Sequence, residues 1–232
     1  ADKFALYPTV DGSYFTYEEL ESKLKANQTD KDDKFVLLYA SDKEAQHSYI
    51  EAAKAKGYEV LLLDSPIVSH LMQKLETSKD KISFARVDAD PIDKLIQKEE
   101  NAISKLSDEE KEALKTKIEG VTGEGGLTVQ LEAMDSDSAP FVITEPEFMR
   151  RMKEMQQTGG GGGMFGMGNM PEMHNLIVNI NHPLVTEILN TKTQKKQERL
   201  ISQSIDLAKL SKGLLKGKAL SDFVARSYDM IK

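Results

Sequence analysis

The chain contains 232 residues with a formal net charge of -7, and 39% of its residues are hydrophobic while 30% are charged. This balance is typical of one large or two ordinary globular domains, and a negative chain without a basic stripe argues against a nucleic-acid partner. The chain has no cysteine, which excludes disulfides, thiolate catalysis and cysteine-ligated zinc and fits a reducing cytosol.

The sequence has no apolar run of about 18 residues, so we expect no membrane-spanning helix and no membrane partner. It begins at Ala1 rather than at a methionine and carries no signal-peptide pattern. We therefore expect a fragment of a longer protein.

Three strand-like runs indicate a first domain. Residues 35–40 and 58–63 are continuous apolar runs, which is typical of strands buried on both faces of a parallel sheet. A helix predicted over 41–56 joins them into a right-handed strand–helix–strand unit, and residues 82–87 are a candidate third strand. We predict a small αβα sandwich with a parallel sheet over residues 1–90.

Four Ser/Thr-x-x-Glu patterns predict helix starts, because each pair can form a capping box that satisfies backbone N–H groups at the end of a helix. The patterns are Thr16–Glu19, Ser41–Glu44, Ser107–Glu110 and Thr144–Glu147. We expect a helix after each of them.

Residues 91–232 predict a second, α+β domain. The runs 127–133, 141–143 and 175–180 have the length of strands, and the first alternates as a one-faced antiparallel strand does. The chain after residue 182 is predicted to be helical.

A methionine-rich amphipathic helix is predicted over residues 146–157. Charged side chains, among them Arg150 and Arg151, cover the side opposite its apolar face. The apolar face carries Phe148, Met149, Met152 and Met155.

The glycines at 159–163 follow this helix, and Met164 and Phe165 follow the glycines. Glycine runs lose much entropy on ordering, so we expect a mobile flap. Two interpretations are open: the methionine face is buried in a core beside a plain linker, or helix and flap form an adaptable apolar contact site. The apolar flap favours the second.

The two C-terminal helices offer more apolar surface than one neighbour can cover, because the first has an apolar arc of roughly 220°. They can pack on their own domain or against a twofold mate, and the surplus area favours the mate. The candidate dimerization residues are Leu200, Ile201, Ile205, Leu207, Leu210, Leu220, Phe223, Val224, Tyr228 and Ile231.

The sequence predicts no catalytic residue, metal site or cofactor. Its four histidines have no metal-type spacing, and neither glycine-rich phosphate-binding motif is present. A rival interpretation is a Rossmann-like small-molecule enzyme with a helical dimerization appendage, whose pocket would lie near Ala40 and Leu63. A purely structural dimer module with a hidden methionine face is a third.

Several segments of the sequence occur together in one known family. They are GYEVLLLDSPI at 57–67, APFVITEPEFMRRMKEM at 139–155, INHPLVTEIL at 180–189 and the ending FVARSYDMIK. In this order they resemble the ninety-kilodalton heat-shock chaperones, and most of all the bacterial HtpG type. The resemblance runs from about Thr16 to Lys232.

The resemblance implies the small αβα subdomain of the middle segment, followed by a C-terminal dimerization domain whose helices, over about 196–231, form an intersubunit bundle. It implies an ATP-driven, homodimeric chaperone whose ATPase domain, with its ATP and Mg²⁺, lies upstream of this fragment. The ending DMIK, without an acidic EEVD tail or a KDEL signal, implies a bacterial cytosolic protein.

The resemblance also implies two surfaces for unfolded client proteins. One is the amphipathic helix with Phe148, Met149, Met152 and Met155, and the other corresponds to Ser69, His70 and Gln73. Ser69 and His70 depart from the acid and the tryptophan of the bacterial pattern, which weakens the second patch as a prediction.

Overall fold

The computed structural model describes residues 5–65, 68–98, 103–123, 126–151 and 173–231. It divides into two compact units: Ala1–Glu100 with Glu145–Pro171, and Asn101–Thr144 with Glu172–Lys232. Residues 91–98 and 145–151 thus belong to the first unit, whereas the sequence placed a domain boundary after residue 90. The segment from residue 145 interrupts the second unit in sequence.

In chain order the described elements are β1 (Tyr7–Pro8), β2 (Tyr14–Phe15), α1 (Tyr17–Leu24), β3 (Phe35–Ala40), α2 (His47–Ala55), β4 (Val60–Leu62), α3 (Val68–Ser78), β5 (Ile82–Arg86), α4 (Ile92–Leu95), α5 (Asp108–Thr122), β6 (Leu127–Glu132), β7 (Phe141–Thr144), α6 (residues 147–151), β8 (His174–Asn179), α7 (Pro183–Asn190), α8 (Gln194–Ser211) and α9 (Gly217–Ile231). No helix in these ranges is long and apolar enough to cross a membrane.

The first unit contains the predicted parallel sheet. Its order is β4–β3–β5, with Leu38 opposite Val60 on one side and Ala85 on the other. All six residues of β3 are buried, because a central parallel strand has helices over both faces. The prediction of a parallel α/β sheet is confirmed.

Alternate residues of β3 belong to different faces of this sheet. Leu37 and Tyr39 pack in a cluster with Leu20 of α1 and with Met72 and Leu75 of α3. Helix α2 buries its own apolar residues outside that cluster, as a helix on the other face of the sheet does.

The second unit is built on a mixed sheet in the order β6–β8–β7. The central β8 is parallel to β6 and antiparallel to β7, so Leu176 lies between Val129 and Ile143. The three strands were predicted from the sequence within a residue at each end. The expectation that the first of them, β6, is an antiparallel strand was wrong, because it pairs in parallel with β8. Its core joins these strands to Leu114 and Ile118 of α5, Val185 and Ile188 of α7, and Ile201 and Ile205 of α8.

Two of the four predicted capping boxes form. The Thr16 and Ser107 boxes are complete, with reciprocal bonds to Glu19 and Glu110. The prediction for Ser41 was wrong, because Asp42 Oδ1 accepts the N–H groups of residues 44 and 45 in a turn and α2 begins only at His47.

The box predicted for Thr144 and Glu147 was also wrong. The buried Thr144 hydroxyl has no hydrogen-bond partner among the described residues. The Glu147 carboxylate bonds instead to Tyr39, Arg150 and Arg151. Two arginines of the same helix and the Tyr39 hydroxyl of β3 therefore occupy the carboxylate that the cap would have used.

Gln28 joins β3 to the chain before β4, and it is fully buried. Its Nε2 donates to the Val36 carbonyl at 3.0 Å and its Oε1 accepts from the Glu59 N–H at 2.7 Å.

We predict that Gln28→Leu lowers the free energy of unfolding by about 2–4 kcal/mol, because both backbone groups lose a partner. Urea unfolding measures this. Gln73→Leu, at an exposed amide of α3, is the control, and an equal loss in both variants contradicts the prediction.

Candidate functional site

The first turn of α6 presents its apolar side chain outward and its charged side chains inward. Phe148 is 73% exposed and Met149 is half-buried, whereas Arg150 is only 4% exposed. An amphipathic helix ordinarily turns its apolar stripe toward the core. The described part of α6 does the opposite, and the reason lies in what its charged residues contact.

Glu147 is the hub of these contacts. Its carboxylate accepts hydrogen bonds from the Tyr39 hydroxyl at 3.0 Å and from Arg151 Nε at 2.7 Å. Arg150 Nε donates to the same carboxylate at 3.3 Å, and its Nη2 donates both to Glu147 and to the Tyr39 hydroxyl. Because Tyr39 belongs to the buried strand β3, this hub ties α6 to the centre of the sheet.

Arg151 makes a second attachment. Its Nη1 and Nη2 donate to the two carboxylate oxygens of Glu76 at 2.8 and 3.2 Å, and Nη2 also donates to the Phe84 carbonyl at 2.9 Å. Glu76 in turn accepts the Phe84 N–H at 2.8 Å. The fork geometry of arginine suits this arrangement, and it connects α6 to α3 and β5 together.

A third attachment precedes the helix. Arg86 at the end of β5 donates to Asp88 and to Glu145, and the Glu145 N–H donates to the Asp88 carbonyl at 3.1 Å. Asp88 itself is almost fully buried. We call the complete set the anchor network, and it consists of Tyr39, Glu76, Arg86, Asp88, Glu145, Glu147, Arg150 and Arg151.

The anchor network favours the charged forms of Glu147 and Arg151. Burial alone would raise the pKa of Glu147, but hydrogen bonds and charge from Arg150 and Arg151 outweigh it and lower that pKa. Burial likewise opposes the charged form of Arg151, yet its bonds to Glu76 and Glu147 raise its pKa. Glu147 and Arg151 are therefore both charged at neutral pH.

The second predicted client patch lies on α3. His70 and Gln73 are exposed and Ser69 is half-buried. Both α3 and the described part of α6 belong to the first unit. The remaining predicted client residues lie outside the described ranges, and they are Met152, Met155, Met164 and Phe165.

The predicted dimerization residues separate into two groups in the second unit. Ile201, Ile205 and Phe223 are buried inside the unit, and Leu200 and Leu220 are half-buried. The others are exposed, and they are Leu207, Leu210, Val224, Tyr228 and Ile231, accompanied by Leu214 and Met230. This exposed set forms what we call the terminal stripe.

Helix α9 is held beside α8 largely by polar side chains. Gln203 Nε2 donates to the Ser227 hydroxyl at 2.8 Å, and Arg226 donates to Gln203 Oε1 at 3.0 Å and to Asp206. Among the residues of α9 that the structure describes, Phe223 alone is fully buried. As a result Tyr228 and Ile231, which follow Val224 at helical spacing, are left 65% and 82% exposed.

The geometry around the parallel sheet bears on the enzyme interpretation. Ligands of open α/β sheets bind outside the carboxyl ends of the strands. At that edge Gln46 accepts the Ser41 N–H at 2.8 Å and donates to Asp88 at 2.7 Å, so a ligand would have to displace these bonds. A depression of about 320 Å³ lies at the opposite, amino edge, beside Phe35 and Lys81.

Within the described ranges, no group of His, Cys, Asp or Glu side chains is arranged to hold a metal ion.

Comparison with known proteins identifies the family. The family model described as Hsp90 protein matches residues 11–232. The chain belongs to the Hsp90 family. It is 34% identical over 302 residues to a chaperone protein HtpG of Bacteroides fragilis, a match that includes all of this chain and 44% of the relative.

Two further relatives agree with this membership. A chaperone protein HtpG of Porphyromonas gingivalis is 36% identical over 213 residues, covering 90% of this chain and 31% of the relative. An endoplasmin homolog of Dictyostelium discoideum is 24% identical over 195 residues, covering 81% of this chain and 24% of the relative. The chain therefore spans less than half the length of the Hsp90 relatives it matches.

Sequence reasoning missed most of the anchor network of this Hsp90 chain. It found Glu147 but assigned it to a cap, and it placed Arg150 and Arg151 only as the charged side of an amphipathic helix. The spacing of residues 147, 150 and 151 was a usable signal, because i, i+3 and i+4 residues share one helix face. Their partners Tyr39 and Glu76 come from a distant strand and helix, and Glu145 is held by the equally distant Arg86, none of which local spacing reveals.

We predict a specific pH dependence for Glu147. Because its pKa in the folded chain is below the ordinary value of 4.5, its stabilising contribution is complete above that pH and is lost as the pH falls through the lowered pKa. The difference in thermal midpoint between the parent chain and Glu147→Gln should therefore shrink on acidification from neutral pH. Glu44→Gln, at an exposed carboxylate of the same unit, should show a small difference at every pH. A difference in thermal midpoint between the parent chain and Glu147→Gln that grows on acidification contradicts the prediction.

Proposed function

We propose that this chain is the part of an Hsp90-family chaperone that joins two subunits and contacts unfolded client proteins. The observation that carries the proposal is the outward orientation of large apolar side chains at two places, Phe148 on α6 and the terminal stripe on α8 and α9. In the proposal, ATP and Mg²⁺ act in other parts of the full-length protein, which works in the bacterial cytoplasm.

The terminal stripe supports the role in dimerization. Leu207 and Leu210 lie one turn apart on α8, and Val224, Tyr228 and Ile231 follow one another at helical spacing on α9. Two neighbouring helices that both expose apolar rows gain free energy when a second copy covers them, at about 25 cal/mol per Å² of apolar area. A twofold mate suits this surface, because each copy offers the same stripe to the other.

Ile201, Ile205 and Phe223 have a different role in this proposal. They are buried within the protomer, so they stabilise the positions of α8 and α9, the helices that carry the interface. The proposed interface therefore uses the terminal stripe, with half-buried Leu200 and Leu220 at its margin, to form an intersubunit helical bundle.

We predict that Leu210→Glu with Tyr228→Glu converts a dimer into a monomer at micromolar concentration, because each change would place a charge in an apolar interface. Light scattering of the parent and variant chains gives the molar mass. Ile103→Glu is the matched control, since Ile103 is also highly exposed in the second unit but lies outside the stripe. A monomeric parent chain, or a variant that stays dimeric, contradicts this part of the proposal.

Phe148 and Met149 support the role in client contact. An exposed aromatic ring beside a methionine offers an apolar surface that fits many sequences, because methionine adapts its shape to the partner. His70 and Gln73 on α3 add exposed polar groups in the same unit. We extend the contact surface to Met152, Met155, Met164 and Phe165 on the ground of the family resemblance alone.

We predict that Phe148→Ser weakens binding of a permanently unfolded probe, reduced and carboxymethylated lactalbumin, by about five- to tenfold, which is the loss of one partly buried aromatic contact. Fluorescence anisotropy of the labelled probe measures the dissociation constant. Tyr14→Ser removes another exposed aromatic ring of the first unit and should leave the affinity unchanged. Equal affinities of the parent chain and Phe148→Ser argue against the site.

A further inference from the structure

We propose that the anchor network is a positioning device: by holding Glu147, Arg150 and Arg151 against the sheet, it fixes the rotation of α6 so that Phe148 faces solvent. The inference rests on the proposed role of Phe148 in client contact, and it adds the residues that make this contact available. Those residues touch no client themselves and act through Phe148.

The helical register supports this assignment. At about 100° per residue, residues 147, 150 and 151 lie on one side of α6, and all three are engaged by the network. Phe148 and Met149 then fall on the remaining arc. Fixing the charged side therefore determines where the aromatic ring points.

The number of attachments supports it as well. Tyr39 on β3, Glu76 on α3 and the Phe84 carbonyl on β5 hold the helix at three separate elements. Hydrogen bonds to a guanidinium are directional, so together they resist rotation about the helix axis. Apolar packing alone is non-directional and would allow the helix to roll.

The orientation that results is opposed by the hydrophobic effect. Burying a phenylalanine and exposing an arginine is the favourable exchange in water, yet Phe148 is outside and Arg150 inside. The network must outweigh that preference. We therefore expect α6 to roll and to bury Phe148 once the central charge pair is replaced by uncharged side chains.

The test uses the double variant Glu147→Gln/Arg150→Met in the full 232-residue chain. Both charges are removed together, so that no unpaired charge is left buried, and Arg151 keeps Glu76 as its partner. Glu21→Gln/Lys25→Met makes the same two replacements at an exposed ion pair of α1 and is the control.

The orientation of position 148 is measured by thiol labelling. The chain has no cysteine, so Phe148→Cys introduces a single reactive site for a water-soluble disulfide reagent. We expect the double variant to slow labelling at least about threefold, whereas the control pair leaves the rate unchanged. Unchanged or faster labelling in the double variant overturns the proposal.

Client affinity is measured with the same unfolded lactalbumin probe, in chains that retain Phe148. We expect the double variant to weaken binding about fivefold, and to have no further effect when Phe148→Ser is already present, because a positioning residue acts only through the group it positions. An additive loss in the Phe148→Ser background indicates a general structural effect and overturns the proposal.

These outcomes separate the inference from the function on which it rests. If Phe148→Ser weakens binding and the double variant does not, the positioning role is wrong and the client site stands. If neither variant alters binding, the client site itself is wrong. A milder variant, Tyr39→Phe, removes one hydroxyl from the network and should shift labelling and affinity in the same directions, which covers the case in which the double variant does not fold.

Discussion

The buried contact between Arg150, Glu147 and Tyr39 is the interaction on which the first unit's exposed apolar surface depends. A buried arginine is tolerated only when its charge and its N–H groups are matched, and here a carboxylate and a phenolic hydroxyl match them. Because the charged side of α6 faces the sheet, Phe148 on the other side of the helix cannot be buried in the core. The contact thus stabilises an orientation that apolar packing would reverse.

Much of the fold could be predicted from local patterns. The run Phe35–Ala40 is apolar at every position because β3 is covered on both faces, and the Thr16 and Ser107 boxes form because their partners lie within three residues. Thr144 and Glu147 have the same residue types at the same spacing, but they do not form a capping box. The glutamate accepts instead from the charged Arg150 and Arg151 one turn further along the helix and from the Tyr39 hydroxyl of β3, and the last of these partners is invisible in a short motif.

The candidate residues on α8 illustrate a different limit. Periodicity predicts an apolar arc too wide for one neighbour, and in the structure Ile201 and Ile205 contact the core of the second unit while Leu207 and Leu210 are exposed. Spacing alone assigns all four to one broad stripe. Which of these four residues face the protomer's own sheet is decided by the packing of α8 against β7 and α5. That packing is visible only in the tertiary structure.

The two exposed apolar surfaces are kept open by related means. On α6 it is the anchor network, and on α9 it is the bonding of Arg226 and Ser227 to Gln203 and Asp206 on α8. A surface that must bind other chains is at risk of collapsing onto its own domain, because its apolar groups gain as much from a core as from a partner. Directional polar contacts on the inner side remove that alternative while leaving the outer side free to adapt. In the proposed function, the polar and charged residues of these helices are therefore as necessary to apolar binding as the apolar residues themselves.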